Sequence, residues 1–342
     1  MKKLEVALGN RSYNIIFENG GRRRFADIFG ISHRRAFIVT DDGVPHEYAE
    51  AVAESFDQAE IYTVPMGEGS KSIGTFGDIL SKMLEAEITR GDVCVAVGGG
   101  VVGDLAGFVS SAYMRGIDFY NMPTTLLSMV DSSIGGKTAV NHGGAKNIVG
   151  AFYQPKGVLI DTETLRTLSK KNFAGGMAEA IKMATTSDEE LFSMLENTTT
   201  EELDIETVIL RSLMIKKAVV EADEREGGLR KILNFGHTFG HAVEAASEMN
   251  ELGHGQCVAI GMMAVTQGEV KERLSKILEK FDLPVSYEGD RDTALSLIST
   301  DKKRQGNNID AILVSKIGGC EIRRMSLEEF TELVKKNTGG NI

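Results

Sequence analysis

The chain is poor in cysteine and in basic residues, and it lacks a long apolar run. Its three cysteines, Cys94, Cys257 and Cys320, lie far apart and form no CxxC pair, which argues against a disulfide framework and for reduced thiols in a cytosolic protein. Lysine and arginine total 38 against 49 acidic residues, so the net charge of −11 opposes binding to nucleic acid or to an anionic membrane. No stretch approaches the ~18 apolar residues of a membrane-spanning helix. We therefore expect a cytoplasmic protein with neither a nucleic-acid nor a membrane partner.

The two halves of the chain have different periodicities. In the first half, β-branched runs such as RAFIVTDD, AEIYTVPM and DVCVAVGGG alternate with helical stretches, and the start, MKKLEVALGNRSYNIIF, reads as two strands rather than a signal peptide. This alternation predicts an α/β domain with a doubly wound, largely parallel sheet over residues 1–165. From about residue 165 helical patterns dominate, interrupted by one late strand, IDAILVSKIGG. We expect an all-helical C-terminal domain over residues 166–342, with the site in the cleft between the domains.

Three glycines follow a strand pattern in VCVAVGGGVVGDLAGF. Gly98, Gly100 and Gly103 satisfy the GxGxxG spacing, in which backbone N–H groups approach a pyrophosphate at a helix N-terminus. A plain strand–helix turn gives the same pattern. Asp118 lies near the distance expected of an acid that binds a ribose, and Asp41, at the end of an earlier strand, is a second candidate. The pattern predicts nucleotide binding without its details.

Further along, MPTTLLSMVDSSIGGKTAVNHGGAKNIVGAFYQP reads as a polar, glycine-broken loop between apolar flanks. Loops held at their ends are places where sites are built. This one carries Asp131, Lys137, Lys146 and Asn147. Three basic residues lie elsewhere in notable settings, namely Arg115, Lys216 and Arg230. Each alone reads as a surface charge, but together they predict a local anion site for phosphate or carboxylate.

Three of the six histidines lie close together in LNFGHTFGHAVEAASEMNELGHG. His237 and His241 share a helix face at i, i+4, and either or both can coordinate a metal, while His254 follows the helix. In AGGMAEAIK, Glu179 and Lys182 are three apart among small apolar residues, where a buried carboxylate needs a partner. A packed helix is the alternative to a divalent metal site here.

Taken together, these stretches resemble the 3-dehydroquinate synthases, which are sugar-phosphate cyclases. The likeness covers nearly the whole chain and includes VTDDGV, GEGSK, GGGVVGDLAGF, YMRG, DEREGGLRKILNFGHTFGHA and HGQCVAIGM besides the stretches above. It implies an NAD-binding domain, a helical metal domain and a homodimer. It also implies a carbon–oxygen lyase of the shikimate pathway, towards aromatic amino acids, which converts 3-deoxy-D-arabino-heptulosonate 7-phosphate to 3-dehydroquinate and phosphate.

The resemblance further implies roles for single residues. The ligands of a divalent metal, zinc or cobalt, would be Glu179, His237 and His254, which leaves His241 to contact the substrate. Substrate-lining positions would be Asp131, Lys137, Asn147, Lys182, Lys216, Arg230 and Asn234. Phosphate would be reached by Arg115 and by Lys302 or Lys303. Positions that contact NAD would be Asp41, Glu68, Lys71, Gly99, Gly100, Asp104, Thr124, Thr125, Lys146, Thr167 and Leu168.

One departure and three rival interpretations accompany this resemblance. Gln256 stands where the family usually has glutamate, so we expect the loss of a charge near His254 to tune metal affinity. Another sugar-phosphate cyclase would lack the carboxylate-facing set Lys216, Arg230 and Asn234. A polyol dehydrogenase would have no use for so many phosphate-facing bases. A catalytically dead binding subunit would not need the metal and lysine positions.

Overall fold

The computed structural model describes residues 1–247, 252–302 and 308–338, without the side chains of 299–302. The chain forms two compact units, Met1–Leu168 and Ser169–Ile342. In the described part of the chain, no helix combines the length and the apolar character needed to cross a membrane.

The first unit is built around a seven-stranded sheet in the order β1-β2-β9-β6-β5-β3-β4. The unit has nine strands in all, of which β7 and β8 lie outside this sheet: β1 Lys2–Val6, β2 Tyr13–Phe17, β3 Ala36–Asp41, β4 Ala59–Val64, β5 Val93–Gly98, β6 Asp118–Pro123, β7 Lys137–His142, β8 Ala145–Phe152 and β9 Gly157–Ile160. The β1–β2 pair is antiparallel, and the other pairs of this sheet are parallel. The predicted doubly wound, largely parallel sheet is confirmed.

Helices cover both faces of this sheet, because its buried strands present apolar side chains on both sides. The helices of the unit are α1 Phe25–Phe29, α2 His46–Ala53, α3 Ile73–Glu85 and α4 Gly100–Ala112. Apolar residues of α1 and α2 pack with Ile38 and Val95, whereas those of α3 and α4 pack with Val39 and Ala96. Alternate residues of β3 and β5 therefore serve two separate cores.

Residues 137–152 of the stretch that we expected to be a polar loop form a β-hairpin, so that expectation was wrong there. Strands β7 and β8 pair antiparallel and form their own two-stranded sheet. Gly143 and Gly144, with φ of 59° and 79°, make the two-residue turn between them. Such turns need positive φ at both positions, which glycine adopts without strain. Val140 is buried in the core beneath α4, which anchors the hairpin.

In its described residues, the second unit is helical except for one hairpin and short turns. Its helices are α5 Lys170–Ser187, α6 Glu189–Asn197, α7 Ile205–Ala222, α8 His237–Ala246, α9 His254–Val265, α10 Gly268–Lys280, α11 Arg291–Lys302 and α12 Leu327–Thr338. The late strand of the sequence analysis is β10 Asn308–Lys316, and it pairs antiparallel with β11 Gly319–Ser326, which the sequence analysis did not include. The side chains of β11 are mostly polar and exposed, so its sequence does not show the alternation of apolar and polar residues that predicts a strand.

Several helices of this unit begin at a side chain that accepts a backbone hydrogen bond. Ser169 accepts from Asn172 N–H at the start of α5, and Asp188 accepts from Leu191 N–H at the start of α6. These caps satisfy N–H groups that the helix itself leaves open, typically worth about 1 kcal/mol each.

Candidate functional site

In the first unit, a crevice is expected where neighbouring strands send their connections in opposite directions. β3 and β5 are parallel neighbours, but β3 continues through α2 to β4 on one side and β5 through α4 to β6 on the other. Ligands of open α/β sheets bind at such switch points, outside the carboxyl ends of the strands. Asp41 ends β3, and the glycines that start at Gly98 end β5.

The glycine turn brings the start of α4 tightly against the strand. A Cβ atom at Gly98 would lie 2.6 Å from Cγ2 of Val102, and one at Gly100 would lie 3.0 Å from Oγ of Ser132. Gly99, at the N-cap, has no side chain with which to cap the first N–H groups of α4. Open N–H groups at a helix start favour an anion, and this geometry fits the nucleotide-binding prediction.

Asp118 does not belong to this edge, so its candidacy as a ribose acid was wrong. It begins β6, where it aligns with Val93 at the amino end of β5, whereas Gly98 aligns with Pro123 at the other end. Its carboxylate also pairs with Arg34 at 2.7 Å. Chain distance alone fitted Asp118, but a whole strand length of about 16–20 Å separates it from the turn.

Asp41 lies at the same edge of the sheet as the glycine turn. It is largely buried, and its Oδ1 accepts from the Gly43 N–H at 2.9 Å. Burial raises the pKa of its carboxyl, an effect that the backbone donors Gly43 and Val44 oppose.

Lys71 joins three parts of the first unit. It is 5% exposed, and its Nζ donates to Oδ2 of Asp104 on α4 and to Oδ1 of Asn147 on β8, both at 2.5 Å. The neighbouring Glu68 accepts from Nδ2 of Asn141 at 2.7 Å. Four of the predicted positions thus share one hydrogen-bonded network.

The remaining positions of the first unit lie on several elements. Thr124 donates its N–H to Gly98 O at 2.9 Å, and Thr125 lies against Gly99. Thr167 Oγ1 lies 3.0 Å from the Tyr48 hydroxyl, and Leu168 follows in the chain. The others are Asp131 in a π-helical turn (Ser128–Ser132), Lys137 at the start of β7, Lys146 on β8, and Arg115, exposed at φ 68°.

In the second unit, Glu179 and the histidines come together. Oε1 of Glu179 lies 3.8 Å from Nε2 of His237 and 3.7 Å from Nε2 of His254. His241 belongs to the same group, because the ligand atoms of the three histidines lie within 4.8 Å of one another. The four residues come from three helices, α5, α8 and α9.

The outer nitrogens of both imidazoles have partners, so the inner nitrogens face Glu179. Nδ1 of His237 lies 3.2 Å from the carbonyl of Phe235, and Nδ1 of His254 lies 3.2 Å from Oε2 of Glu244. Such partners orient histidine ligands and select the tautomer that offers Nε2 to a metal. We had given Glu244 no role; its position seven residues after His237, about two turns along the same helix face, was the available signal.

Burial and neighbouring charges shift the pKa values of Glu179, His237 and His254 in different directions. Burial alone would raise the pKa of Glu179, but Lys182 and the two imidazoles outweigh it and hold that pKa well below its usual range. Burial, with Lys182 nearby, lowers the pKa of His237 to about 3. Burial would also lower the pKa of His254, but Glu179 and Glu244 raise it to about 9. A carboxylate and a neutral imidazole are the forms that bind metals, so Glu179 and His237 have the required form near neutral pH, whereas His254 would release a proton when a metal binds.

Glycines let the three helices approach one another. A Cβ atom at Gly240 on α8 would lie 2.8 Å from the carbonyl oxygen of Cys257 on α9, and one at Gly255 would overlap the backbone of Gly175 on α5. Their small size brings the helix backbones into contact, which places Glu179 beside the histidines.

Gln256 has a different role from the one we expected. Its Oε1 accepts from the Gly253 N–H at 2.8 Å and so caps the start of α9. The side chain that holds His254 is Glu244. Gln256 therefore supports the start of α9, and the expected effect of this residue on metal affinity stays a prediction.

The basic candidates of the second unit are mostly buried. Lys182 is 1% exposed, Arg230 2% and Lys216 5%. Lys182 contacts Oε2 of Glu179, and Arg230 donates from Nη1 to the Glu224 carbonyl at 2.5 Å. The exposed Asn234 donates to Glu226 at 3.0 Å. Lys302 ends α11, but its side chain and the whole of Lys303 lie outside the described residues.

Comparison with known proteins places the chain in a family. Two family models match it, one described as 3-dehydroquinate synthase N-terminal over residues 61–175 and the other as 3-dehydroquinate synthase C-terminal over residues 176–304. The chain belongs to the 3-dehydroquinate synthase family. Family members named 3-dehydroquinate synthase include proteins of Streptococcus thermophilus and Enterococcus faecalis, 41% and 42% identical over 98% of this chain and over 100% and 99% of their own lengths.

A solved structure shares the fold of this chain along nearly its whole length. It is 2-epi-5-epi-valiolone synthase from Streptomyces hygroscopicus, with NAD⁺ and Zn²⁺ bound. The TM-score is 0.87 at 26% identity, over 98% of this chain and 99% of that chain.

Proposed function

We propose that this member of the 3-dehydroquinate synthase family converts 3-deoxy-D-arabino-heptulosonate 7-phosphate to 3-dehydroquinate and phosphate, as a carbon–oxygen lyase. The observation that carries the proposal is the buried Oε1 of Glu179, which faces Nε2 of both His237 and His254. The likeness to relatives of that name over the whole chain supports the choice of reaction.

The residues present fit a divalent metal. Among the described residues, Oε1 of Glu179 has no hydrogen-bond partner although it is buried, which is costly for a carboxylate oxygen. Its separations of 3.7 and 3.8 Å from the two Nε2 atoms slightly exceed the ~3.3–3.5 Å between ligands of a tetrahedral ion with bonds of about 2.0–2.1 Å. Glu179, His237 and His254 would hold zinc or cobalt and leave a position for the substrate. When bound, the ion would supply Lewis-acid polarisation of a substrate oxygen.

The first unit fits NAD⁺. The turn at Gly99 and Gly100 offers uncapped N–H groups to a pyrophosphate, and Asp41 lies at the neighbouring strand end for ribose hydroxyls. The further positions that would hold the cofactor are Glu68, Lys71, Asp104, Thr124, Thr125, Lys146, Thr167 and Leu168. When bound, NAD⁺ would take a hydride from the substrate and later return it.

The polar side chains bind and orient the substrate. Buried lysine and arginine ammonium and guanidinium groups are strong partners for a carboxylate or phosphate, because little water competes with them. This supports roles for Lys182, Lys216 and Arg230 in holding the anionic ends of the substrate. His241 is exposed beside His237, with 5.2 Å between ring centroids, so it would contact the substrate while the metal ligands stay in place. The other substrate positions would be Asp131, Lys137, Asn147, Asn234, Arg115 and Lys302 or Lys303.

Assembly and location belong to the same proposal. A homodimer, with Arg115 reaching phosphate across it, accords with family membership. A cytoplasmic location accords with the sparse, widely separated cysteines and the net charge of −11.

The test is phosphate release from 3-deoxy-D-arabino-heptulosonate 7-phosphate by the purified protein. Release should need NAD⁺, stop after chelation with EDTA and return with added zinc or cobalt. His237→Ala should abolish it, whereas His33→Ala, at an exposed histidine, should not. Release from a sugar phosphate without the carboxylate, and none from the heptulosonate, would instead indicate another cyclase. No release with metal and NAD⁺ bound would refute the proposal.

A further inference from the structure

The β7–β8 hairpin contains an irregularity at a predicted substrate residue. Val140 aligns with Val149 and His142 with Ala145, so Asn141 alone faces three residues of β8. The middle one, Asn147, has φ of 54°, in the left-handed region that asparagine tolerates better than most residues. Such bulges re-aim side chains beside functional sites and interrupt the ladder of backbone hydrogen bonds.

The side chain of Asn141 closes this bulge. Its Oδ1 accepts from the Asn147 N–H at 2.8 Å, which replaces a ladder bond that the bulge removes. Its Nδ2 donates to Oε1 of Glu68 at 2.7 Å. Its own N–H donates to the Lys71 carbonyl at 2.8 Å, so the strand is attached to the segment that follows β4.

The contacts form a closed ring. Lys71 Nζ donates to Oδ1 of Asn147 at 2.5 Å, so the residue that Asn141 holds through the backbone is held again through its side chain. The same Nζ donates to Oδ2 of Asp104 at 2.5 Å. Glu68, Lys71 and Asp104 belong to the cofactor side of the proposed function and Asn147 to the substrate side, and Asn141 joins the two.

We propose that Asn141 is a positioning residue that couples cofactor binding to substrate binding, and this inference rests on the proposed function. Asn141 sets the direction of the Asn147 side chain and ties it to Glu68, so an arrangement of Glu68 and Lys71 that suits NAD⁺ also suits the substrate. Because Asn141 holds groups on both sides, breaking the Asn141–Glu68 contact weakens the binding of NAD⁺ and of the substrate.

Asn141→Asp breaks this contact with the least disturbance. The carboxylate keeps an acceptor for the Asn147 N–H but turns the second group towards Glu68 from a donor into a second anion. We expect the Kd for NAD⁺, measured by calorimetry, and the KM for the heptulosonate phosphate to rise together by about five- to tenfold, as for the loss of one hydrogen bond, while kcat changes less than KM.

A second substitution restores the contact with its direction reversed. In the Glu68→Gln background, the new amide can donate to the carboxylate introduced by Asn141→Asp. The same substitution should therefore have almost no effect on either constant when compared with Glu68→Gln alone. His142→Ala, at the exposed neighbour on the same strand, is the matched control and should leave both constants within about twofold.

The outcomes separate the two proposals. If Asn141→Asp raises the Kd for NAD⁺ and the KM in the wild-type protein, where Glu68 is present, but not in Glu68→Gln, the inference is supported. Three outcomes would overturn it while the wild type still turns over. They are an equal rise of both constants with and without Glu68, no rise in either protein, and a rise of the Kd for NAD⁺ with an unchanged KM. Wild-type protein that neither binds NAD⁺ nor releases phosphate would overturn the proposed function, and the inference with it.

Discussion

The carboxylate of Glu244 should control how tightly the second unit binds a metal. It reaches Nδ1 of His254 at 3.2 Å, on the side of the ring away from Glu179. Glu244→Gln keeps an oxygen that can accept from Nδ1–H but removes the negative charge. The imidazole then becomes a poorer electron donor, and its orientation is held less firmly.

The structure limits the size of this effect. The side chains of Glu244 and His254 are 21% and 35% exposed, so water screens part of the interaction. Loss of a partner of this kind costs 10- to 100-fold in metal affinity, and both the exposure and the retained acceptor favour the lower end. We expect about a tenfold weaker Zn²⁺ affinity, or about 1.4 kcal/mol.

Competition with a chromophoric zinc chelator measures this affinity directly. Gln256→Ala is the matched control, because Gln256 contacts the Gly253 N–H at the helix start and not the imidazole. It should lower the melting temperature, as the loss of a cap does, with little change in zinc affinity. If Gln256→Ala weakened zinc binding and Glu244→Gln did not, the assignment of the imidazole's partner to Glu244 would be refuted.

Two further predictions concern the stability of the second unit. Asp188, held by Arg211 at 2.7 and 2.8 Å, has a pKa below its ordinary value of 3.8, because the hydrogen bonds and charge of Arg211 outweigh burial. The pair should therefore stabilise the fold above pH 4 by about 1–2 kcal/mol. The difference in melting temperature between wild type and Asp188→Asn should shrink as the pH falls below 4. A difference that stayed constant down to pH 2 would contradict this. Gly255→Ala should lower the free energy of unfolding by about 1–3 kcal/mol and weaken zinc binding, because its Cβ would push α9 away from α5. Gly175→Ala is the control, because its Cβ meets nothing within 4 Å, and it should leave thermal unfolding almost unchanged. Equal effects of the two substitutions would argue against the steric explanation.

Much of the fold could be predicted from local pattern. Buried strands such as β3 and β5 are apolar on both faces, and amphipathic helices follow them, so the α/β class follows from periodicity. The hairpin of β7 and β8 was missed because its strands are short of continuous apolar residues and are broken by glycines, which resemble a loop in sequence.

For the candidate residues, too, local pattern predicted some features and missed others. The spacing of His237 and His241 was sufficient to place them on one helix face, and the glycines after β5 to mark a strand–helix turn. From the residues alone, Glu179 was a buried carboxylate in need of a partner, and the resemblance to a family made it a metal ligand together with His237 and His254.

By itself, the sequence determined the order of the elements, the two different halves, and the residue types available for a metal and a nucleotide. Tertiary structure alone decided that Asp118 lies at the wrong edge of the sheet, that Glu244 rather than residue 256 holds His254, and that Asn141 joins Glu68 to Asn147. The physical reason is that periodicity reports which face of an element is buried. Which distant side chains meet depends on strand register and on helix contacts as close as that of Gly255 with Gly175, and these arise only when the whole chain packs.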